Sequence, residues 1–340
     1  MNVENEGGRI VSFRRLPKAE VHVHLEGTFD PKTLEKWAAE AGVSMPRPRE
    51  RLFEFRGLTD FLHFLDWASG LVDTRDRLAQ MAYAFCQRLS NDGTGYADVI
   101  INPTHWSNWR GRVREMIDAL DHGFTEAERD GLPPAGLCIS LLRTQTADEA
   151  IELVELLADF RHPRVVALSV DGNEAAAGRT GPRFAAAFRR AAAAGLRRTV
   201  HAGESSGPEG VRDAVELLDA DRIDHGVRAI EDDSVVALLA ERGISLGVCP
   251  TSNVTLNVYP SIAAHPIDRL RRAGVRVSIN TDDPSLLATS LPKEYLAACD
   301  AFAWTDQTIR DIARTSIDAS FANIDVKARL HASLSAWTMQ

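Results

Sequence analysis

Four short apolar segments of this chain end in side chains that could hold a metal ion or move a proton. Val21-His22-Val23-His24 leads into Leu25-Glu26-Gly27, and Thr199-Val200-His201 into Ala202-Gly203-Glu204. Arg222-Ile223-Asp224 ends in His225-Gly226, and Val277-Ser278-Ile279-Asn280-Thr281 in Asp282-Asp283. Alternate residues of a strand point to the same side, so His22 and His24 project together. Paired imidazoles with a carboxylate suit a zinc-like ion, which takes nitrogen and oxygen ligands. A lone His-x-His is a weak signal, but His201, His225 and Asp282 also stand at the ends of apolar runs. Glu204 is a candidate proton donor, because a carboxyl near a metal and partly out of water holds its proton toward neutral pH. Its other reading is a capping carboxylate in the turn Glu204-Ser205-Ser206-Gly207-Pro208. Of Asp282 and Asp283, one can ligate a metal while the other binds substrate or water, although Asp283-Pro284 also reads as a helix start. The set points to metal-assisted hydrolysis rather than to a binding module.

These groups need a frame that brings strand ends together. Eight strand-like runs are legible: Val21–Leu25, Tyr96–Asn102, Gly136–Leu141, Val165–Val170, Arg198–His201, Arg222–His225, Ser245–Cys249 and Arg276–Thr281. Most are short, rich in Val and Ile and apolar on both faces, as buried parallel strands should be. Helical patterns alternate with them, among them Pro31–Ala41, Thr146–Phe160, Pro182–Ala194, Pro208–Leu218, Asp232–Arg242 and Ile267–Ala273. Eight such alternations predict a (β/α)8 TIM barrel, whose sites lie at the C-terminal ends of the strands. Two further patterns, Leu58–Val72 and Arg75–Asn91, read as extra helices capping the C-terminal mouth, and Pro292–Phe302, Thr305–Ser316 and Lys327–Ser335 as closing helices. Residues 1–15 read as a loose N-terminal arm and 16–340 as a single domain.

The bulk properties narrow the function. The 340 residues carry a formal net charge of -9, with 44% hydrophobic and 26% charged residues. An acidic chain without a basic patch is a poor nucleic-acid binder. No run is apolar enough for a membrane span, and the polar N-terminus does not read as a secretory signal. Cys86, Cys138, Cys249 and Cys299 are scattered without a CxxC pair, which predicts free thiols and a cytoplasmic enzyme acting on a small molecule.

The segments 16–27 (LPKAEVHVHLEG), 201–204 (HAGE), 224–226 (DHG), 249–253 (CPTSN) and 280–284 (NTDDP), in this order, resemble the adenosine/adenine deaminase family of metal-dependent amidohydrolases. By that resemblance one Zn2+ would be held by His22, His24, His201 and Asp282. Glu204 would protonate N1 of a 6-aminopurine, and His225 would orient or deprotonate the attacking water. Asp283 would hydrogen-bond the attacking oxygen and the ring, and Gly172 would contact the purine through its backbone. Zinc-activated hydroxide would attack C6 and ammonia would leave. An adenosine-like nucleoside is the first substrate implied; free adenine, or a 5'- or N6-modified aminopurine, is the alternative.

The substrate signals are mixed. Glu26 resembles the adenine branch, in which a longer side chain fills space that ribose would take. Asp171-Gly172-Asn173-Glu174 and HAGESSGP resemble the adenosine branch, and Asn102-Pro103-Thr104-His105-Trp106 resembles neither. His105 and Trp106 read equally as pocket lining and as a turn cap with a packed ring. Phe61 and Leu65 in the lid read as ribose-facing or, for Leu65 above all, as an ordinary helix core face. Another amidohydrolase, with a second metal on a carboxylated lysine after the fourth strand, is disfavoured because that strand ends Ser169-Val170-Asp171. A non-catalytic relative would have lost a ligand or the acid, and none is missing.

Overall fold

The computed structural model describes residues 3–338 except 57, with the side chains of 3–6, 58, 59, 61 and 62 left out. Runs that are apolar on both faces can bury one face against helices only if the other packs inside a closed sheet. The eight strands do so: β1 (Lys18–His24), β2 (Thr94–Ile101), β3 (Ala135–Leu142), β4 (Val165–Asp171), β5 (Arg197–Ala202), β6 (Arg222–His225), β7 (Ser245–Val248) and β8 (Arg276–Ile279). All pair in parallel with their neighbours in sequence, giving the order β1 to β8. The fold is the expected (β/α)8 barrel.

Between β8 and β1 the seam is closed largely by side chains. The backbone contributes one bridge, Val23 with Asp282, in which His24 N donates to Asp282 O at 2.8 Å and Asp282 N to His22 O at 3.2 Å. Below it, Asn280 Oδ1 accepts from the amides of Val21 and His22 at 2.8 and 3.2 Å. Glu20, fully buried, accepts from Thr281 N at 3.2 Å and from Arg88 at 2.8 Å. Asp282, just beyond β8, is thereby tied to His22 and His24 of β1.

Two expectations need correction. Residues Val3–Arg15 form a helix rather than a loose arm, and Phe13 is fully buried against Tyr295, with ring centroids 5.8 Å apart. Gly7 and Gly8 make this segment a weak helix by itself, but tertiary contacts hold it. The buried Lys18 donates to Phe13 O at 2.9 Å, to Leu16 O at 3.2 Å and to Asp92 O at 2.8 Å, capping two helix ends at once. The second correction concerns the mouth. Leu58–Gly70 does pack on the turns after β2, where Asn108 donates to Gly70 O at 2.9 Å. Arg75–Asp92 instead packs beside Val113–Arg129, a ring helix that the pattern reading did not single out. It serves as the return helix that every βα unit needs. Among the described residues no helix is long and apolar enough to cross a membrane.

Candidate active site

β1 delivers His22 and His24 to the mouth on the same side, as its alternation requires. His201 arrives from β5, and its strand neighbour Asp224 from β6 lies in register with it. Two residues leave their strands with positive φ: His225 at 64° and Asp282 at 64°. Left-handed backbone at a non-glycine residue costs of order 1–3 kcal/mol and persists where the surroundings over-determine it. Here it turns both side chains inward.

The donors converge. His201 Nε2 is 3.1 Å from His22 Nε2 and 3.0 Å from His24 Nε2. Asp282 Oδ1 is 3.3 Å from His22 Nε2 and 3.4 Å from His24 Nε2. A tetrahedral ion with ligand bonds of about 2.0–2.1 Å needs donor spacings of roughly 3.3–3.4 Å. Three imidazole nitrogens this close cannot all carry protons, and a cation among their lone pairs removes the conflict. The tension shows in the titration. Burial works against charge on His22, yet Asp224 and Asp282 lift it to about 9. Burial and the three neighbouring imidazoles push His201 well below its ordinary value. His22 donates from Nδ1 to Gly247 O at 2.8 Å, which leaves Nε2 free to ligate. Ser252 donates to Asp282 Oδ2 at 2.7 Å and leaves Oδ1 to the cluster. His225 lies close by, its ring nitrogen within 4.8 Å of donors on His22, His201 and Asp282. The residues therefore fit a metal ion.

Glu204 Oε1 is 3.4 Å from His225 Nε2. Burial first, then the charges of Asp282 and Glu174, push this carboxyl up to about 8, which favours its protonated form. Burial and Asp282 push Asp283 up to about 7. Asp283 sits against Gly27, where an added Cβ would lie 2.4 Å from its Cα.

The remaining predicted residues divide. Glu26 is buried, and its Oε1 accepts from Asn102 N at 2.9 Å and from Trp106 Nε1 at 2.7 Å, while Oε2 has no partner. Burial raises its pKa, partly opposed by His105 and His24, so His105 does face it. Trp106 is fully buried, packs on Phe29 with ring centroids 6.1 Å apart, and pins Glu26. Gly172 has φ of +99°, and its carbonyl accepts from Arg143 Nε at 3.0 Å, which leaves its N–H as the group to offer a ligand. Leu65 packs against the core. Phe61 lies in the lid helix, but its side chain is outside the described residues.

Sequence reasoning passed over several residues that hold this site. The Glu174 carboxylate accepts from the amides of Gly203, Glu204 and Ser206 at 3.0, 2.8 and 3.3 Å, clamping the loop that carries Glu204. Arg143, nearly fully buried, ties Gly172 to the His201 carbonyl. Asn253 and His265 stand behind His225. Glu174 and Asn253 lay within segments already singled out; nothing in the local pattern marks Arg143 or His265.

A sequence model of the family described as Adenosine deaminase matches residues 17–337. The chain is 36% identical over 320 residues to the adenine deaminase of Rhizobium meliloti (strain 1021), covering 94% of this chain and 98% of that one. It is 34% identical over 331 residues to the aminodeoxyfutalosine deaminase of Streptomyces avermitilis, covering 95% and 91%. Among solved structures, an amidohydrolase with bound Zn from Burkhoderia ambifaria superposes with a TM-score of 0.88 at 28% identity, covering 98% and 93% of the two chains. Barrel, cluster and matched length together establish that the chain belongs to the adenosine/adenine deaminase family of amidohydrolases.

Proposed function

We propose that the protein hydrolyses the exocyclic amine of a 6-aminopurine, with one Zn2+ held by His22, His24, His201 and Asp282. The observation that carries this reading is the pairing of a part-buried carboxyl, Glu204, held toward its protonated form, with a converging imidazole–carboxylate cluster on the same rim. A zinc ion held by these residues would supply a hydroxide nucleophile at neutral pH by lowering the pKa of water to about 7. An aromatic purine resists addition at C6 until its ring nitrogen N1 takes a proton, and Glu204 is the group placed to give it. A positioned acid contributes about 10²–10⁴-fold. Asp283, one residue beyond Asp282, holds the attacking oxygen. His225 orients or deprotonates that water. When ammonia leaves, N1 keeps its proton and the second proton of the added oxygen restores Glu204. Four buried free cysteines support a cytoplasmic setting.

Free adenine is the best-supported substrate, ahead of an adenosine-like nucleoside. Glu26 Oε2 is a buried acceptor without a partner, and a free base carries an imidazole N–H that a nucleoside has exchanged for its sugar. The near full-length relative from R. meliloti, named an adenine deaminase, supports the same choice. The test is amine release by the zinc-loaded protein from adenine, adenosine, 2'-deoxyadenosine, a 5'-substituted adenosine and N6-methyladenine. Turnover led by adenine is expected. Turnover led by a nucleoside would transfer Glu26 to a sugar hydroxyl, and no amine from any of them would sink the aminopurine reading.

A further inference from the structure

The proton on the His225 ring can be located from heavy atoms alone, starting at a group that can only donate. The backbone N–H of Ile267 lies 3.2 Å from His265 Nδ1, so that nitrogen accepts and carries no proton. His265 is 2% exposed, and burial, which pushes its pKa down to about 3, keeps the ring neutral. Its single proton therefore sits on Nε2, which faces Asn253 Oδ1 at 3.1 Å. A donor opposite an oxygen fixes the orientation of the buried amide and sends the Asn253 NH2 toward His225 Nδ1, 3.2 Å away. That nitrogen accepts in turn. The reversed arrangement would set His265 Nδ1–H against the Ile267 N–H and leave two buried donors opposed, a loss of about 1–3 kcal/mol for each unsatisfied group.

We infer that Asn253 and His265 are positioning residues that fix His225 in its Nε2–H tautomer, so that His225 meets the attacking water as a hydrogen-bond donor rather than as a proton acceptor. The catalytic half of this inference rests on the deaminase reading; the tautomer itself does not. Two consequences follow. The Nε2 of His225 faces Glu204 Oε1 and Asp282 Oδ2, at 3.4 and 3.8 Å, with a proton and not a lone pair. It is thus no ligand, which leaves His24 as the third imidazole of the cluster. The proton given up by the attacking water must also pass to a carboxylate of the rim, Asp282 or Asp283, before it reaches the leaving amine.

The test is nitrogen NMR of the zinc-loaded full chain, with 15N in its histidine rings and the His225 signals assigned by their loss in His225→Asn. An unprotonated Nδ1 and a protonated Nε2 on His225 are expected, and a proton on Nδ1 overturns the inference. Asn253→Asp presents only acceptors to Nδ1, so it should draw the His225 proton there. It should also lower kcat at least about tenfold, and by as much as about 10⁴-fold, because a histidine in the wrong tautomer loses its role with its position intact. KM should stay within about threefold. If Asn253→Asp does not fold, His265→Gln, whose amide can face either way, should give a mixed ring signature and a partial loss of kcat. A moved proton with unchanged kcat would overturn the donor role. The expected tautomer in a protein that releases no amine would defeat the deaminase reading and leave the positioning of His225 standing.

Discussion

Gly27→Ala is the substitution for which the structure gives the most definite magnitude. Gly27 follows Glu26 in the turn after β1, and a Cβ there would lie 2.3 Å from Asp283 Oδ1, 2.4 Å from its Cα and 2.7 Å from its Cβ. Ordinary contact begins near 3.4 Å, so the Asp283 backbone must withdraw by about 1 Å. A side-chain tip could swing aside, but a Cα cannot move alone. Ser285 N donates to Gly27 O at 2.9 Å, and Asp282 exchanges hydrogen bonds with His22 and His24. Asp282, the proposed metal carboxylate, is therefore displaced together with Asp283. A misplacement of about 1 Å costs on the order of 10²-fold, or about 2.7 kcal/mol of transition-state stabilisation. The assay is kcat/KM by ammonia release, with zinc content and thermal stability measured in parallel. Gly8→Ala is the control: nothing lies within 4 Å of its Cβ position, so activity should hold while stability rises by about 0.5–1 kcal/mol. Gly27→Ala retaining more than about a third of parental activity would refute the argument that this glycine exists to admit Asp283.

Glu204→Gln should lower kcat by about 10²–10⁴-fold with little change in KM, since the proton transfer belongs to the transition state. The acid must be protonated, and burial with Asp282 and Glu174 raises it to about 8. Activity is thus lost as pH rises through that value, or through a lower one once a dication sits nearby, and this limb should vanish from the residual activity of Glu204→Gln. His24→Ala should lose zinc by metal analysis, whereas His225→Asn should retain it; the reverse would exchange the third imidazole ligand. Chelation should abolish activity and lower the melting temperature, with zinc at 100 times its Kd restoring about 2.7 kcal/mol. Burial pushes Glu294 up to about 7, above its unfolded value of 4.5, so its contribution to stability is complete below pH 4.5 and is lost as pH rises through 7. Glu294→Gln should therefore gain on the parent by up to about 3 kcal/mol between pH 5 and 8 in denaturant titrations; a constant difference would contradict the assignment.

The sequence by itself determined the strands, the barrel and the candidate residues at its mouth. It could do so because a strand buried on both faces is mostly apolar, so polar residues clustered at its end stand out. His22, His24, His201, His225 and Asp282 stood out for that reason, and the choice of four of them as ligands came from the family resemblance. The helix Val3–Arg15 was not legible, because its stability lies in Phe13 and Lys18 reaching segments distant in the chain. What only the tertiary structure decided is how those candidate residues are held. Asn280 and Glu20 close a seam between residues some 260 positions apart. Glu174 grips a loop 30 residues away, and the proton on His225 is set by Asn253 and His265 across 28 and 12 positions. Periodicity records which face of an element is buried. It carries no information about which donor will meet which acceptor once distant elements are packed, and in this site those pairings set the chemistry.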